Sequence, residues 1–275
     1  MRRFRPIAQE FTAAGLAAAP AAGKDGDNWG LTAEDLAGLA PGAPHETRIL
    51  DYYSKHGIEL LLERLGFFAK LRALGFRHPV LDVDFGSGLG QTLRIYGDPE
   101  RTELLLELRL NRSRRVVPGM DVIFVEWLLL QNPRQPFTER VPRLPGQEHP
   151  GLGLLGELVA WMVVACETIG LDGIAHVPSH YHLAVLGRHH VRFLRPEDQA
   201  RFEALGDALA GVPLMQAIRL LEAGQVVDSA TGEPVRWEPG PTVLPVSSRL
   251  RTLVSGQAYD QTVRRTREAL KFRLV

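Results

Sequence analysis

Cys166 is the only cysteine in 275 residues. No intrachain disulfide can form, and a cysteine-based structural zinc site is excluded. Cys166 lies in the apolar run AWMVVACETIG, the setting of a packing thiol and not of a nucleophile. Net charge is missing as well. The 32 Lys and Arg residues balance 32 Asp and Glu, which removes the electrostatic argument for a nucleic-acid or membrane-surface partner. Lysine is scarce (Lys24, Lys55, Lys70 and Lys271), so nearly all the positive charge is arginine. The clustered run Arg112-Ser113-Arg114-Arg115 reads as a solvated strand end. No segment approaches the roughly 18 uncharged apolar residues of a membrane span. MRRFRPIAQEF lacks the apolar core of a secretory signal. The expectation is a cytoplasmic protein with no nucleic-acid and no membrane partner.

The length suits one large domain or a domain with sizeable appendages. Residues 1–45 are rich in Ala, Gly and Pro, with one small helix signal at the capping box Thr32-Ala33-Glu34-Asp35. They are expected to be poorly ordered or to wrap over the core. From His45 onward the apolar spacing in ETRILDYYSKHG and IELLLERLGFFAKLRALGF predicts two helices, or one broken at Gly57, up to Gly75. After His78-Pro79 the period shortens. PVLDVDF, QTLRIYG, TELLLELRLN and DVIFVEWLLLQ read as strands, with GDPER as a turn. Alternation in LRIYG and ELRLN fits antiparallel strands with one wet face.

A glycine loop follows, then an apolar helix over Leu154–Gly170, a short strand over Asp172–Val177 and a second helix. Beyond Phe193 come two helices separated near Gly211-Val212-Pro213, a turn with a hairpin or extended strand, and two closing helices.

The loop Gln147-x-x-x-Gly151-x-Gly153 opens directly into a helix. Glycines let backbone approach a ligand, and the first free N–H groups of a helix face an anion with the positive dipole end behind them. A pyrophosphate-bearing cofactor fits such a loop.

This element order and loop resemble the GCN5-related N-acetyltransferase family, whose loop after the fourth strand has the form Gln/Arg-x-x-Gly-x-Gly/Ala. Here one extra residue separates Gln147 from Gly151. The resemblance implies an α+β fold with a mixed, mostly antiparallel sheet flanked by helices. The core would be residues 46–195, with a helical N-terminal addition and a mostly helical extension over 196–275. It implies acyl transfer from acetyl-CoA or another acyl-CoA to an amine of a small molecule or peptide. Gln147, His149, Gly151, Leu152 and Gly153 would then lie at the pyrophosphate, with backbone amides from Leu128 to Leu130 on the thioester carbonyl. The family pattern N-x-x-A-x-x-L-Y-x-x-x-G-F is met only in part. With Ala184 on the alanine, Arg188 stands at the tyrosine that commonly protonates the departing thiolate, and Arg192-Phe193 replaces Gly-Phe.

Glu126 is the candidate base, because it interrupts VIFVEWLLLQ on the strand expected to face the cofactor. A carboxylate in apolar surroundings holds a proton more readily, which suits a base near neutrality. A sheet-edge or ion-paired glutamate is the other reading of the same residue. Histidines are dense after the loop. His176 and His180 have helical metal-ligand spacing, but Pro178 and Ser179 break the helix between them and no H-E-x-x-H pattern occurs, so no metal site is expected. His180 and His182 are candidates for acid/base or substrate contact, since they follow the fifth strand where the cleft splays open. Trp127, Trp161 and Trp237 read as core or interface anchors. The C-terminal extension either covers the acceptor site or builds a homodimer interface.

Two other readings compete. Val80–Gly88 is similar to the glycine motif of S-adenosylmethionine-dependent methyltransferases, but Asp84 takes the place of the first glycine and QTLRIYGDPE alternates like a strand. A plain hairpin turn explains it. The third reading is a non-catalytic binding module with the acetyltransferase-like fold.

Overall fold

A computed structural model describes residues 48–87 and 90–275. The expectations for residues 1–45, including the capping box at Thr32, lie outside the described residues, and so does Gly88.

The first two helices are α1 (Lys55–Arg64) and α2 (Phe67–Ala73). Gly57 does not break the chain as expected. It is buried in the first turn of α1, where its N–H donates to the capping Ser54 Oγ at 3.0 Å. The break falls at Gly66, whose φ of 71° only glycine adopts without strain. The preceding ILDYY is a tight turn instead of a helix. The N–H groups of Tyr52 and Tyr53 both reach Ile49 O, and Leu50 and Asp51 have positive φ. Ile49, Leu50 and Tyr53 are all buried, so the turn fills the core with the residues that mimicked helical spacing.

The remaining elements are β1 (Val80–Ser87), β2 (Gly90–Tyr96), β3 (Leu104–Ser113), β4 (Val122–Leu130), α3 (Leu155–Ile169), β5 (Gly173–His176), α4 (Tyr181–Gly187), β6 (Arg192–Phe193), α5 (Pro196–Ala208), α6 (Leu214–Glu222), β7 (Val226–Asp228), β8 (Thr242–Pro245), α7 (Ser248–Ser255), α8 (Gln257–Ala269) and β9 (Phe272–Leu274). The fold is α+β, with helices flanking a mostly antiparallel seven-stranded sheet of order β1-β2-β3-β4-β5-β8-β6. Its parallel pair is β4 with β5. β7 and β9 form a small second sheet. Residues 196–275 are mostly helical, but they also supply β8 to the sheet between β5 and β6, so the sheet does not end at residue 195.

Register decides the core. Leu81, Ile95, Leu106 and Leu130 are successive cross-strand neighbours through β1–β4. They pack with Leu61, Phe67, Leu71, Leu158 and Trp161 of α1–α3. Among the described residues the Trp161 ring is the largest fully buried side chain. A second cluster joins Val122, Ala175 and Val243 to Leu250, Val254, Tyr259 and Val263 of α7 and α8.

Asp172 ties the entries of β4, β5 and α7 together. Its carboxylate accepts from Asp121 N–H (2.9 Å), Ser247 Oγ (2.7 Å) and Arg249 Nη2 (2.6 Å), while its carbonyl accepts from Val246 and Ser247 N–H. The Arg249 guanidinium, helped by the Asp121 and Ser247 donors and opposed by burial, holds the carboxyl down at about 2. An unfolded aspartate titrates near 3.9, so this stabilisation is complete above about pH 4 and is lost as pH falls toward 2. Because Arg249 itself is exposed, about 1–2 kcal/mol is expected. Asp172→Asn should therefore lower the melting temperature at pH 7 and flatten its decline between pH 4 and 2. A parallel decline in both proteins would show that this carboxylate does not set the acid limb.

Candidate functional site

β4 has nine residues and β5 has four. They pair only from Val122 with Gly173 to Val125 with His176. Beyond that point β4 runs on to Leu130, and the chain leaves β5 at Val177-Pro178. A wedge therefore opens inside the sheet. Leu130 faces Leu106 in the register, and Gln131 N–H donates to Leu105 O on the β3 side. Alternation then turns the backbone groups of Leu128 and Leu130 toward the wedge. Among the described residues no strand pairs this edge between Glu126 and Leu130. An unpaired strand edge is a template for any ligand that carries amides.

The far end of the wedge is closed by the loop leading to α3. Gly151 bridges to Gln131, and Asn132 N–H donates to Pro150 O at 2.7 Å. Upstream, Leu144-Pro145-Gly146-Gln147 is a tight turn with Gly146 at φ 79° and a 3.2 Å bond from Gln147 N–H to Leu144 O. Gln147 closes that turn with its side chain too, accepting from Leu144 N–H at 3.0 Å. The turn lies against the entry to α4, where a Cβ on Gly146 would stand 3.9 Å from the His180 ring.

Gly153 has φ 78° with open space around it, Leu152 is buried beneath, and no side chain caps α3 at Leu154. The first-turn amides of α3 thus have no side-chain cap and begin beside two glycines. The first-turn acid, Glu157, is paired with Lys70 of α2. His149 is half-buried in the loop.

Glu126 sits one residue past the last β4–β5 pair. Arg109 opposes Trp127 and Leu110 opposes Val125, so Glu126 is the extra residue of a β-bulge. This, and not an apolar pocket, is why a carboxylate interrupts the run. Its side chain is exposed, Oε1 accepts from Asn111 Nδ2 at 2.5 Å, and Oε2 lies close to Gly90. The bulge resets the alternation, so Ile123, Val125, Leu128 and Leu130 all join the main core. Trp127 is left 51% exposed. Across the strand pairs Leu129–Glu107 and Glu107–Arg94 lies a buried carboxylate that the sequence reading missed. Glu107 accepts from Arg109 Nε (2.8 Å) and Arg94 Nε (3.3 Å). Alternation of charge along ELRLN was the available signal.

On the other side of the wedge, the His180 and His182 rings lie 5.3 Å apart. His180 Nδ1 is 3.0 Å from Ser179 Oγ. His182 is buried with no partner for Nδ1 among the described residues, and burial, followed by the nearby His180, pushes its pKa below the ordinary histidine value. It is therefore neutral at pH 7 and able to accept a proton. His176 does not join this pair; it meets Thr242 Oγ at 3.0 Å. Arg188 caps the C-terminus of α4 and donates to Val185 O. Trp237 is a core anchor, ringed by Tyr181, Phe193 and Phe202, and its Nε1 donates to Pro178 O, fixing the segment that leaves β5. Trp161 is buried in the main core, as expected of an anchor.

No protein-family model, no curated protein and no solved structure matches this chain. Among the described residues no helix is long and apolar enough to cross a membrane.

Proposed function

We propose that this protein moves an acyl group from acetyl-CoA or another acyl-CoA to an amine, and that its chain is a divergent acetyltransferase of the family it resembles. The observation that carries this reading is the wedge between β4 and β5, with an uncapped helix start beside Gly151 and Gly153 at its end. The thioester supplies an activated carbonyl and an amide-bearing arm. The inward backbone groups of Leu128 and Leu130 suit that arm and carbonyl, and the α3 amides suit the pyrophosphate. Gln147 serves here by shaping the loop, since its side chain is already used in the turn.

In the transfer, Glu126 takes the proton of the acceptor amine directly or through a water. The nitrogen forms the C–N bond, the C–S bond breaks, and the thiolate leaves with the electron pair and gains a proton from solvent at the open wedge. His182 and His180 face the acceptor from the α4 side. The acceptor is a small-molecule or peptide amine. The Val80–Ser87 strand turns back into β2 with no helix after it, an arrangement that gives the methyltransferase reading no support.

Titration calorimetry with acetyl-CoA, and separately with S-adenosylmethionine, tests the proposal. One-site binding of acetyl-CoA alone is expected, and Gly153→Asp should weaken it at least about tenfold by placing a negative charge before α3. Absence of acetyl-CoA binding in the folded protein would leave a non-catalytic module, and binding of S-adenosylmethionine alone would reverse the assignment.

A further inference from the structure

A second cleft lies at the opposite end of β5 from the wedge. Its volume is about 470 Å³, and Pro245, the partner of Gly173, contributes to its wall. Three guanidinium side chains converge on it, those of Arg188, Arg192 and Arg251. We propose that this cleft is a binding site for a small phosphate monoester, separate from the acyl-transfer wedge and not dependent on that reading.

The charge balance points to an anion. Arg192 is neutralised by Asp260, to which Nη2 donates at 3.0 Å, and it lies over the Tyr259 ring at 4.9 Å. Glu203, the acid in the wall, accepts from Gln199 Nε2 at 2.9 Å and from Arg267 Nη1 at 3.0 Å, a guanidinium it shares with Asp207. Among the described residues Arg188 and Arg251 form no ion pair with a carboxylate. Their hydrogen bonds go to the carbonyls of Val185 (3.1 Å) and Val246 (3.4 Å). With Arg267 matched to Asp207, the three arginines of the cleft outnumber Asp260 and Glu203 by one positive charge.

Donor capacity is left over too. Nε of Arg192 and Nε of Arg251 are both buried without a hydrogen-bond partner among the described residues. A buried donor without an acceptor costs roughly 1–3 kcal/mol, which an oxyanion in the cleft would offset once the guanidinium turns to meet it. A phosphate monoester carries a charge of about −1.5 to −2 near neutrality and offers three strong acceptor oxygens to the Arg188 and Arg251 guanidiniums. Val191, Val254 and Pro245 give the wall an apolar part for an organic body on the ester.

Calorimetry of the full chain with inorganic phosphate, phenyl phosphate and succinate tests the site. Phosphate and phenyl phosphate should saturate a single site, phenyl phosphate more tightly, with succinate at least about tenfold weaker than phenyl phosphate. Arg251→Met and the exposed Arg188→Met should each weaken phosphate at least about tenfold, with acetyl-CoA affinity unchanged. Arg188 lies at a helix end, so its variant keeps the test open should Arg251→Met fail to fold. No saturation below about 10 mM would overturn the proposal. So would wild-type affinity in the folded arginine variants, equal binding of succinate, or loss of phosphate binding in Gly153→Asp alone, which would move the ion to α3.

Discussion

Glu126→Gln is expected to cut the rate of acyl transfer to an amine by roughly 10²- to 10⁴-fold, the range a positioned general base contributes, while acetyl-CoA affinity stays the same. The substitution is nearly isosteric. A glutamine oxygen still accepts from Asn111 Nδ2, so the bulge on β4 and its bond to β3 survive. What disappears is the ability to take a proton at the exposed carboxylate one residue past the last β4–β5 pair. A structural role predicts a different pattern, with stability and acetyl-CoA affinity falling together and rate falling in proportion. The pH profile separates the two further, because loss of a base removes the acidic limb of the rate curve and a packing defect does not. If Glu126→Gln keeps rate within about threefold of wild type across pH 5 to 9, Glu126 is only the extra residue of a bulge and the base must be sought at His182.

Much of this site was legible in the sequence. The strands were, because a sheet with one core face writes its alternation into the chain. TELLLELRLN and DVIFVEWLLLQ became β3 and β4, and the acid of GDPER became the Asp98 side chain that closes their upstream turn through Thr102 and Glu103 N–H. The glycine loop and α3 followed from local chemistry for the same reason. Less was legible where the determinant is non-local. The four residues Thr242–Pro245 look like any extended piece, and only the pairing of Val243 with both Ala175 and Arg192 makes them a sheet strand. The setting of Glu126 was misread because a bulge shifts alternation without leaving a periodic mark. Gln147 had a readable cue, Pro145-Gly146, a turn signal that accounts for its side chain before any ligand does. Ile49–Tyr53 shows the reverse error, since helical spacing of apolar residues is a demand for burial that a capped turn also meets.

The largest effect on stability is expected at Gly173. Its backbone is not in the left-handed region, so nothing about conformation requires glycine there. Space does. A Cβ would stand 2.4 Å from Leu244 O and 2.8 Å from Leu250 Cδ2, the first of which is backbone of the paired strand. Relief demands moving β8 away from β5, and β8 carries β6 on its other edge and leads into α7, where Leu250 is fully buried. Gly173 also pairs with Val122 at the root of the β4–β5 parallel pair, so the wedge would widen from its base. Gly173→Ala should cost about 3 kcal/mol or more in urea unfolding, at the upper end for overpacking. Gly153→Ala is the contrast. Its φ of 78° is strained for alanine but its surroundings are open, so a cost of roughly 1–2 kcal/mol is expected. Equal losses at the two positions would mean that β8 yields easily, and the wedge would then be a soft opening instead of a gap held by the sheet. A Gly173→Ala protein that still folds should bind acetyl-CoA more weakly than Gly153→Ala, because only the former disturbs the strand separation on which the proposed site depends.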